Sequence, residues 1–331
     1  MKRVSAFISV GCALLVLGIT TLAMLSSRIS GPLLFEILCH FQMQYFGMVF
    51  FLSAIALWLK RSRLILLTLF CLALLSVQII PWYFPPSQSE TAANYRVMST
   101  NLNVANSNAT EVIKLTKKEQ PDLALFIEVN DSMAKQLDTL KAVLPYSSNQ
   151  LTPYQPGIVL YSKDPLTDLE IRKFDTNNAV NLTAHIQTKN RQLSIVAIHP
   201  LPPIRREFFD DRNKVFRAVS DYIQQQTDPV LLIGDFNTTM WSPFYQMLAY
   251  ETGLKNTRKG LGTFPTWPAN MSYHLTPKLN IFTKLFQIPI DQCLVSSSLD
   301  VVRMHTGSDV GSDHLPIVVD FSIRKEEQLT P

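Results

Sequence analysis

Two hydrophobic regimes divide the chain. Up to residue 84 it runs as three long apolar stretches, near 4–24, 41–59 and 64–84, separated by short polar segments. Each approaches the ~20 residues a helix needs to cross a hydrocarbon core, so three transmembrane helices are predicted. The first follows Lys2 and Arg3, as in a signal peptide, but its length and the two further spans behind it read as a retained helix. From residue 95 the pattern shortens. Apolar, β-branched runs predict strands near 95–100, 122–127, 157–161, 180–187, 192–199, 230–235, 290–296 and 315–323. Polar stretches at 108–119, closed by Pro121, and at 207–226 predict helices. Many strands and few helices point to two packed sheets flanked by helices.

Charge orients the apolar part. The first 86 residues hold six basic side chains (Lys2, Arg3, Arg28, Lys60, Arg61, Arg63) and one acid, Glu36. Positive charge before the first span and between the second and third places those segments in the cytoplasm by the positive-inside rule. Three crossings then carry everything after residue 84 to the far side, the periplasm or exterior of a bacterial inner membrane, with Trp82 and Tyr83 in the interfacial belt. Glu36, His40, Gln42 and Gln44, around the start of the second span, are expected at the interface or against neighbouring helices. Residues 85–94 form a linker of at most ~33 Å, which keeps a domain at 95–323 close to the bilayer; 324–331 is a tail.

Of 30 basic and 26 acidic residues, 24 and 25 remain beyond residue 86, so the pI of 8.8 is set by the membrane-flanking charges. A near-neutral domain lacks the broad basic footprint of a strong non-specific nucleic-acid binder. Cys12, Cys39 and Cys71 lie in apolar segments and only Cys293 in the domain, which excludes a disulfide framework or a cysteine metal site there.

The candidate chemistry lies where strands end. "VMSTNLN" delivers Asn101 and Asn103, "PDLALFIE" Glu128, "LSIVAIHP" His199, and "VLLIGDFN" Asp235 and Asn237. "PIDQCLV" presents Asp291, and "GSDHLPIVV" presents Asp313 and His314, just before a strand. Singly, each is a turn, a cap or a structural histidine. Together they are hard to explain so, because a carboxylate beside a buried run must be paired, ligated or solvated. His40, His185, His274 and His305 lack such context and read as structural or exposed. Phosphodiester cleavage needs neutralised phosphoryl oxygens, an activated water and help for the leaving oxygen. Glu128 with Asn101 suits Mg²⁺, His314 with Asp291 a proton relay, and Asp235 with Asn237 the water and phosphate.

In this order the motifs resemble the endonuclease/exonuclease/phosphatase superfamily, which includes DNase I-like nucleases, abasic-site endonucleases, inositol-polyphosphate 5-phosphatases and neutral sphingomyelinases. "HPLPP", "TWP" and "PIDQ", with the tether, look like its bacterial membrane-anchored branch. The resemblance implies a four-layer α/β/β/α sandwich (DNase I-like), here preceded by three transmembrane helices. It implies metal binding by Asn101, Glu128 and Asp313, with Mg²⁺ or Mn²⁺ as cofactor. Catalysis falls to His199, Asp235, Asn237, Asp291 and His314. Asn103 stands where abasic endonucleases carry an Asp ligand, which argues against abasic-site repair.

The expected function is a membrane-anchored phosphodiesterase, nuclease or phosphatase. Its partners are the lipid bilayer, through residues 4–84, and a phosphoester: nucleic acid, phospholipid head group or small phosphoester. The competing reading is a non-catalytic, membrane-tethered binding or signalling module. Residues 275–289, apolar with two lysines, read as an ordinary loop and strand rather than a membrane contact.

Overall fold

The computed structural model describes residues 2–84, 92–148, 157–174, 180–269 and 283–324. The helices are α1 (Lys2–Ser26), α2 (Leu33–Cys39), α3 (Gln42–Trp58), α4 (Ser62–Ile79), α5 (Thr110–Glu119), α6 (Asp131–Leu137), α7 (Arg206–Ile223) and α8 (Pro243–Thr252). The strands are β1 (Tyr95–Asn101), β2 (Leu123–Val129), β3 (Tyr146–Ser147), β4 (Gly157–Ser162), β5 (Leu166–Arg172) and β6 (Asn181–Gln187). They continue as β7 (Gln192–Ile198), β8 (Val230–Asp235), β9 (Lys255–Asn256), β10 (Asp291–Val295), β11 (Leu299–Thr306) and β12 (Ile317–Ile323).

Among the described residues, twelve strands form two six-stranded sheets, ordered β11-β12-β1-β2-β4-β3 and β5-β6-β7-β8-β10-β9. The period-2 alternation of the central strands explains the layering. Leu123, Leu125 and Ile127 of β2 meet Leu193, Ile195 and Ala197 of β7 between the sheets. Ala124 and Phe126 point out to Val112 of α5 and Met133 of α6. Val196 and Ile198 point out to Val215 and Phe216 of α7 and Leu248 of α8. Both faces of each sheet are therefore buried, and the fold is the expected four-layer α/β/β/α sandwich.

All eight predicted strands are present. The overlooked strands lie at edges and break the apolar pattern: β5 exposes Asp168 and Glu170, and β11 carries Arg303 and His305. The two predicted helices are α5 and α7. The missed α8 carried its own signals, Ser242 as N-cap and Pro243 in the first turn.

Val16, Ile19 and Ala23 of α1 pack with Tyr45, Val49 and Leu52 of α3 and with Cys71 and Leu75 of α4. Two helices, at Ala6–Ser26 and Ser62–Trp82, are long and apolar enough to cross a membrane. The second predicted span is the 17-residue α3, which α2 precedes at 65°; the two pass the same test only as a bent pair. Of the polar groups around its start, one meets the neighbouring apolar helices. Gln42 does bond the backbone of Ala23 and Cys39. Glu36, His40 and Gln44 instead bond residues of the sandwich.

Candidate active site

Topology gathers the predicted residues at one end of both sheets. β1 and β2 are parallel, so Asn101 and Glu128 emerge side by side. β12 is antiparallel to β1, and the loop before it delivers Asp313 and His314 to the same end. In the second sheet β7 and β8 are parallel and lead to His199 and Asp235, while β10, antiparallel to β8, begins there with Asp291. Asp235 and Asp291 are direct cross-strand partners, two carboxylates facing one another in a buried ladder.

The backbone is bent to present these groups. Glu128 has φ +58° at an irregularity in the β2–β4 pairing, and Asn103 and Asn237 have φ +61° and +49°. Left-handed conformations are uncommon for residues with a Cβ and concentrate where surrounding structure imposes them for a purpose. Gly234 explains the first letter of "GDFN". At its φ of +151° a Cβ would lie 1.9 Å from the Ile198 carbonyl oxygen, so only glycine lets β8 press against β7 where His199 departs.

Asn101 bridges the sheets: its Nδ2 donates to Glu128 Oε1 (2.8 Å) and to Asp235 Oδ2 (3.1 Å), while its Oδ1 accepts from the Asn103 amide (3.0 Å). His199 Nε2 lies 3.6 Å from Glu128 Oε1 and 3.7 Å from Asp235 Oδ2. His314 Nδ1 is 2.8 Å from Asp291 Oδ2, and its Nε2 is 3.7 Å from Asp235 Oδ2. Asn237 donates its backbone N–H to Asp235 Oδ1 (2.9 Å) and Nδ2 to the Pro200 carbonyl (3.0 Å). Asp313 stands behind this group, accepting from Asn103 Nδ2 (2.8 Å) and Trp267 Nε1 (3.1 Å).

Supporting residues escaped the sequence reading. Ser312 donates to the Asn101 carbonyl (2.7 Å) and accepts from the His314 amide (3.1 Å), although it sits in the "SDH" motif. Arg212, fully buried, reaches the Asn237 carbonyl (3.3 Å) from α7. Its signal was a charge at i+3 between Phe209 and Phe216 on an apolar helical stripe.

Burial raises the Asp235 carboxyl to about 6, with Asp291 adding to the shift and His314, His199 and the Asn237 amide opposing it. Burial alone would push His314 down; Asp291 and Asp235 outweigh it and raise the imidazole to about 10, so near neutral pH it carries its second proton.

The donor set fits a hard divalent cation. Among the described residues no lysine or arginine forms an ion pair with Glu128, Asp235 or Asp291, and Asp291 Oδ1 is buried without a hydrogen-bond partner. Donor atoms of Asp235, Asp291 and His314 lie within 4.8 Å of one another. His314 Nδ1 and Asp291 Oδ2 already engage one another, however, and both aspartates are closed to solvent. An ion that keeps waters and meets a phosphate needs an open carboxylate. Glu128, whose side chain is 23% exposed, is open enough to be such a carboxylate.

A model of the Endonuclease/Exonuclease/phosphatase family matches residues 98–314, more than half of the chain. The chain belongs to this family. Among solved structures, an endonuclease/exonuclease/phosphatase from Beutenbergia cavernae is similar at 19% identity, covering 70% of this chain and 72% of its own, with a TM-score of 0.56. D. rerio TDP2, complexed with single strand DNA product, is similar at 17% identity over 69% of this chain and 98% of its own, with a TM-score of 0.54. The endonuclease/exonuclease/phosphatase from Bacteroides vulgatus gives 16% identity, 70% and 99% coverage, and a TM-score of 0.53. No curated protein matches the sequence. At these identities the likenesses show the fold that the Endonuclease/Exonuclease/phosphatase members share.

Proposed function

We propose that the chain is a membrane-anchored, metal-dependent phosphoester hydrolase. One observation carries this reading: Glu128, Asp235 and His199 converge beside the Asp291–His314 pair at one edge of the two sheets. Glu128 would hold Mg²⁺ or Mn²⁺, with Asn101 and Asp313 beside it; the bound ion supplies charge neutralisation on the phosphoryl oxygens. Asp235, with its carboxyl raised to about 6, orients the attacking water and accepts its proton near neutral pH. His314, held protonated by Asp291 and Asp235, donates toward the developing negative charge. Asn237 spends one amide hydrogen on Pro200 and keeps the second for a phosphoryl oxygen. His199, at the open side of the cluster, is within reach of the leaving oxygen.

The reading extends to architecture. Residues 1–84 form a three-span anchor, 85–94 a linker, and 95–323 a catalytic domain on the extracytoplasmic side. The near-neutral domain and short tether favour a phospholipid head group or small phosphoester. The single strand DNA product bound by D. rerio TDP2 keeps nucleic acid among the candidates.

The test uses the purified full chain in detergent micelles. Nuclease, phosphatase and phospholipid substrates are offered with Mg²⁺, Mn²⁺ or Ca²⁺, beside Glu128→Ala and His314→Ala. Metal-dependent turnover absent from both variants is expected. Equal background from all three proteins would overturn the proposal.

A further inference from the structure

Glu36 is the one acid of the apolar region, and it is 2% exposed. Its Oε1 is 2.7 Å from Arg212 Nη1 and accepts from Thr238 Oγ1 (2.9 Å); its Oε2 accepts from Ser242 Oγ (2.9 Å). Arg212, 0% exposed, lies against the rings of Phe209 and Phe216, with its guanidinium carbon 5.2 and 5.4 Å from their centroids. Among the described residues Glu36 is the only carboxylate in an ion pair with it. The same Arg212 Nη1 reaches the Asn237 carbonyl, and Asn237 in turn bonds Asp235 and Pro200. Four residues further along α2 and its end, His40 Nδ1 lies 3.1 Å from Thr239 Oγ1. A short helix of the apolar region thus grips Asn237 (through Arg212), Thr238, Thr239 and Ser242, the loop that follows the catalytic Asp235.

We propose that Glu36 is a positioning residue of the hydrolytic site: paired with Arg212, it fixes the loop that follows Asp235 and carries Asn237. The role rests on the phosphoester-hydrolase reading, but the contact can be tested apart from it. A guanidinium buried among phenylalanines needs a counter-charge. The loop it holds includes Asn237 in a left-handed conformation, whose carbonyl is 3.3 Å from Arg212 Nη1. Glu36, Cys39 and His40 also bring donor atoms within 4.8 Å of one another, but both Glu36 oxygens are committed to Arg212, Thr238 and Ser242, which leaves a cation little to bind. The apolar helices are, on this view, part of the catalytic scaffold, and cutting them away removes a piece of the site.

The experiment compares wild type, Glu36→Gln, Glu36→Asp, Arg212→Met and the Glu36→Gln/Arg212→Met double variant, all as full chains in micelles. Hydrogen exchange is followed on peptides covering 235–242 and on β6 and β7 as an internal reference. Glu36→Gln is expected to speed exchange in 235–242 at least tenfold while β6 and β7 keep theirs. It is expected to lower kcat about 10–100-fold, the scale of a displaced catalytic group, with KM changed less than threefold. Glu36→Asp should fall between, and the double variant should lose less than the two single losses multiplied. Unchanged exchange at 235–242, or equal acceleration throughout the sandwich, overturns the proposal. If wild type turns over no substrate above the Glu128→Ala background, the hydrolase reading fails, and the exchange data alone still decide whether Glu36 holds the loop.

Discussion

Asn101 Nδ2 lies 3.1 Å from Asp235 Oδ2, and this hydrogen bond crosses from the last residue of one sheet's central strand to the last residue of the other's. The two sheets meet at the site through this amide, which also donates to Glu128. Asn101→Ala removes both donors and leaves two acids unscreened at close range. It is expected to lower kcat by about 10² or more while the protein stays folded. Asn101→Asp, which adds a further carboxylate between Glu128 and Asp235, should be worse than alanine in the absence of metal. Steady-state kinetics with near-ultraviolet dichroism as the folding control checks both; an alanine variant within threefold of wild type would refute the bridge.

Glu128 is more open than the buried Asp235 and Asp291 and is the carboxylate expected to hold the metal. Glu128→Gln keeps the acceptor for Asn101 but loses the charge. Calorimetric titration should therefore show Mn²⁺ affinity weakened at least tenfold, with thermal stability of the metal-free protein unchanged or raised. Undiminished Mn²⁺ binding would move the metal site elsewhere in the cluster.

Gly234→Ala tests the reason for the "GDFN" glycine. A Cβ placed 1.9 Å from the Ile198 carbonyl cannot be absorbed by rotating a side chain, because the obstacle is backbone. Strain and displaced packing should cost about 3 kcal/mol, or roughly 6–12 °C in melting temperature. Activity should fall further than stability, since β7 and β8 carry His199 and Asp235. A melting curve within 2 °C of wild type would be incompatible with the close approach.

Cys293 lies two residues beyond Asp291, 0% exposed, and burial pushes its thiol up from the ordinary 9.0 to about 12. The folded state favours the protonated thiol. Its contribution to stability is therefore complete below about pH 9 and lost as pH rises toward 12, at up to ~1.4 kcal/mol per pH unit. Iodoacetamide should leave Cys293 unmodified in native protein at pH 8 and label it readily in guanidinium. Native labelling at pH 8 would mean that the sheet opens at β10.

What could be read from the sequence, and what could not, divides along the range of the interaction concerned. Strands such as 230–235 were visible because both faces are buried and the run is continuously apolar. The site residues were visible because polar groups end those runs. β5 and β11 were not, since one side of an edge strand meets solvent and no apolar run marks it. Asp313 fell in the right loop, but only the fold reveals that its oxygens hold Asn103 and Trp267. Glu36 and Arg212 lie 176 positions apart, and each was explicable in its own segment without the other. The region at 275–289 is described only from 283, where a short turn exposes Leu285 and Phe286 and its carbonyls accept from Gln44 of α3.

The Glu36–Arg212 contact also bears on how many times the chain crosses the bilayer. Two helices qualify as spans alone, and a third does so only as the bent α2–α3 pair. If α1 and α4 alone crossed, α2 and the sandwich would lie on opposite sides of the membrane, and Glu36 could not touch Arg212. The contact requires an even number of crossings between α2 and β1, which α3 and α4 together provide. If Lys60, Arg61 and Arg63 lie in the cytoplasm, as the positive-inside rule predicts, α2 and the sandwich are expected outside. Alkaline-phosphatase fusions, active only after export, are expected to be active when joined after residues 30 and 90 and inactive after residue 61. An active fusion at 61 with inactive ones at 30 and 90 would invert the topology while leaving Glu36 on the side of the loop; fusions at 30 and 90 that differ in activity would separate Glu36 from the loop it is proposed to hold.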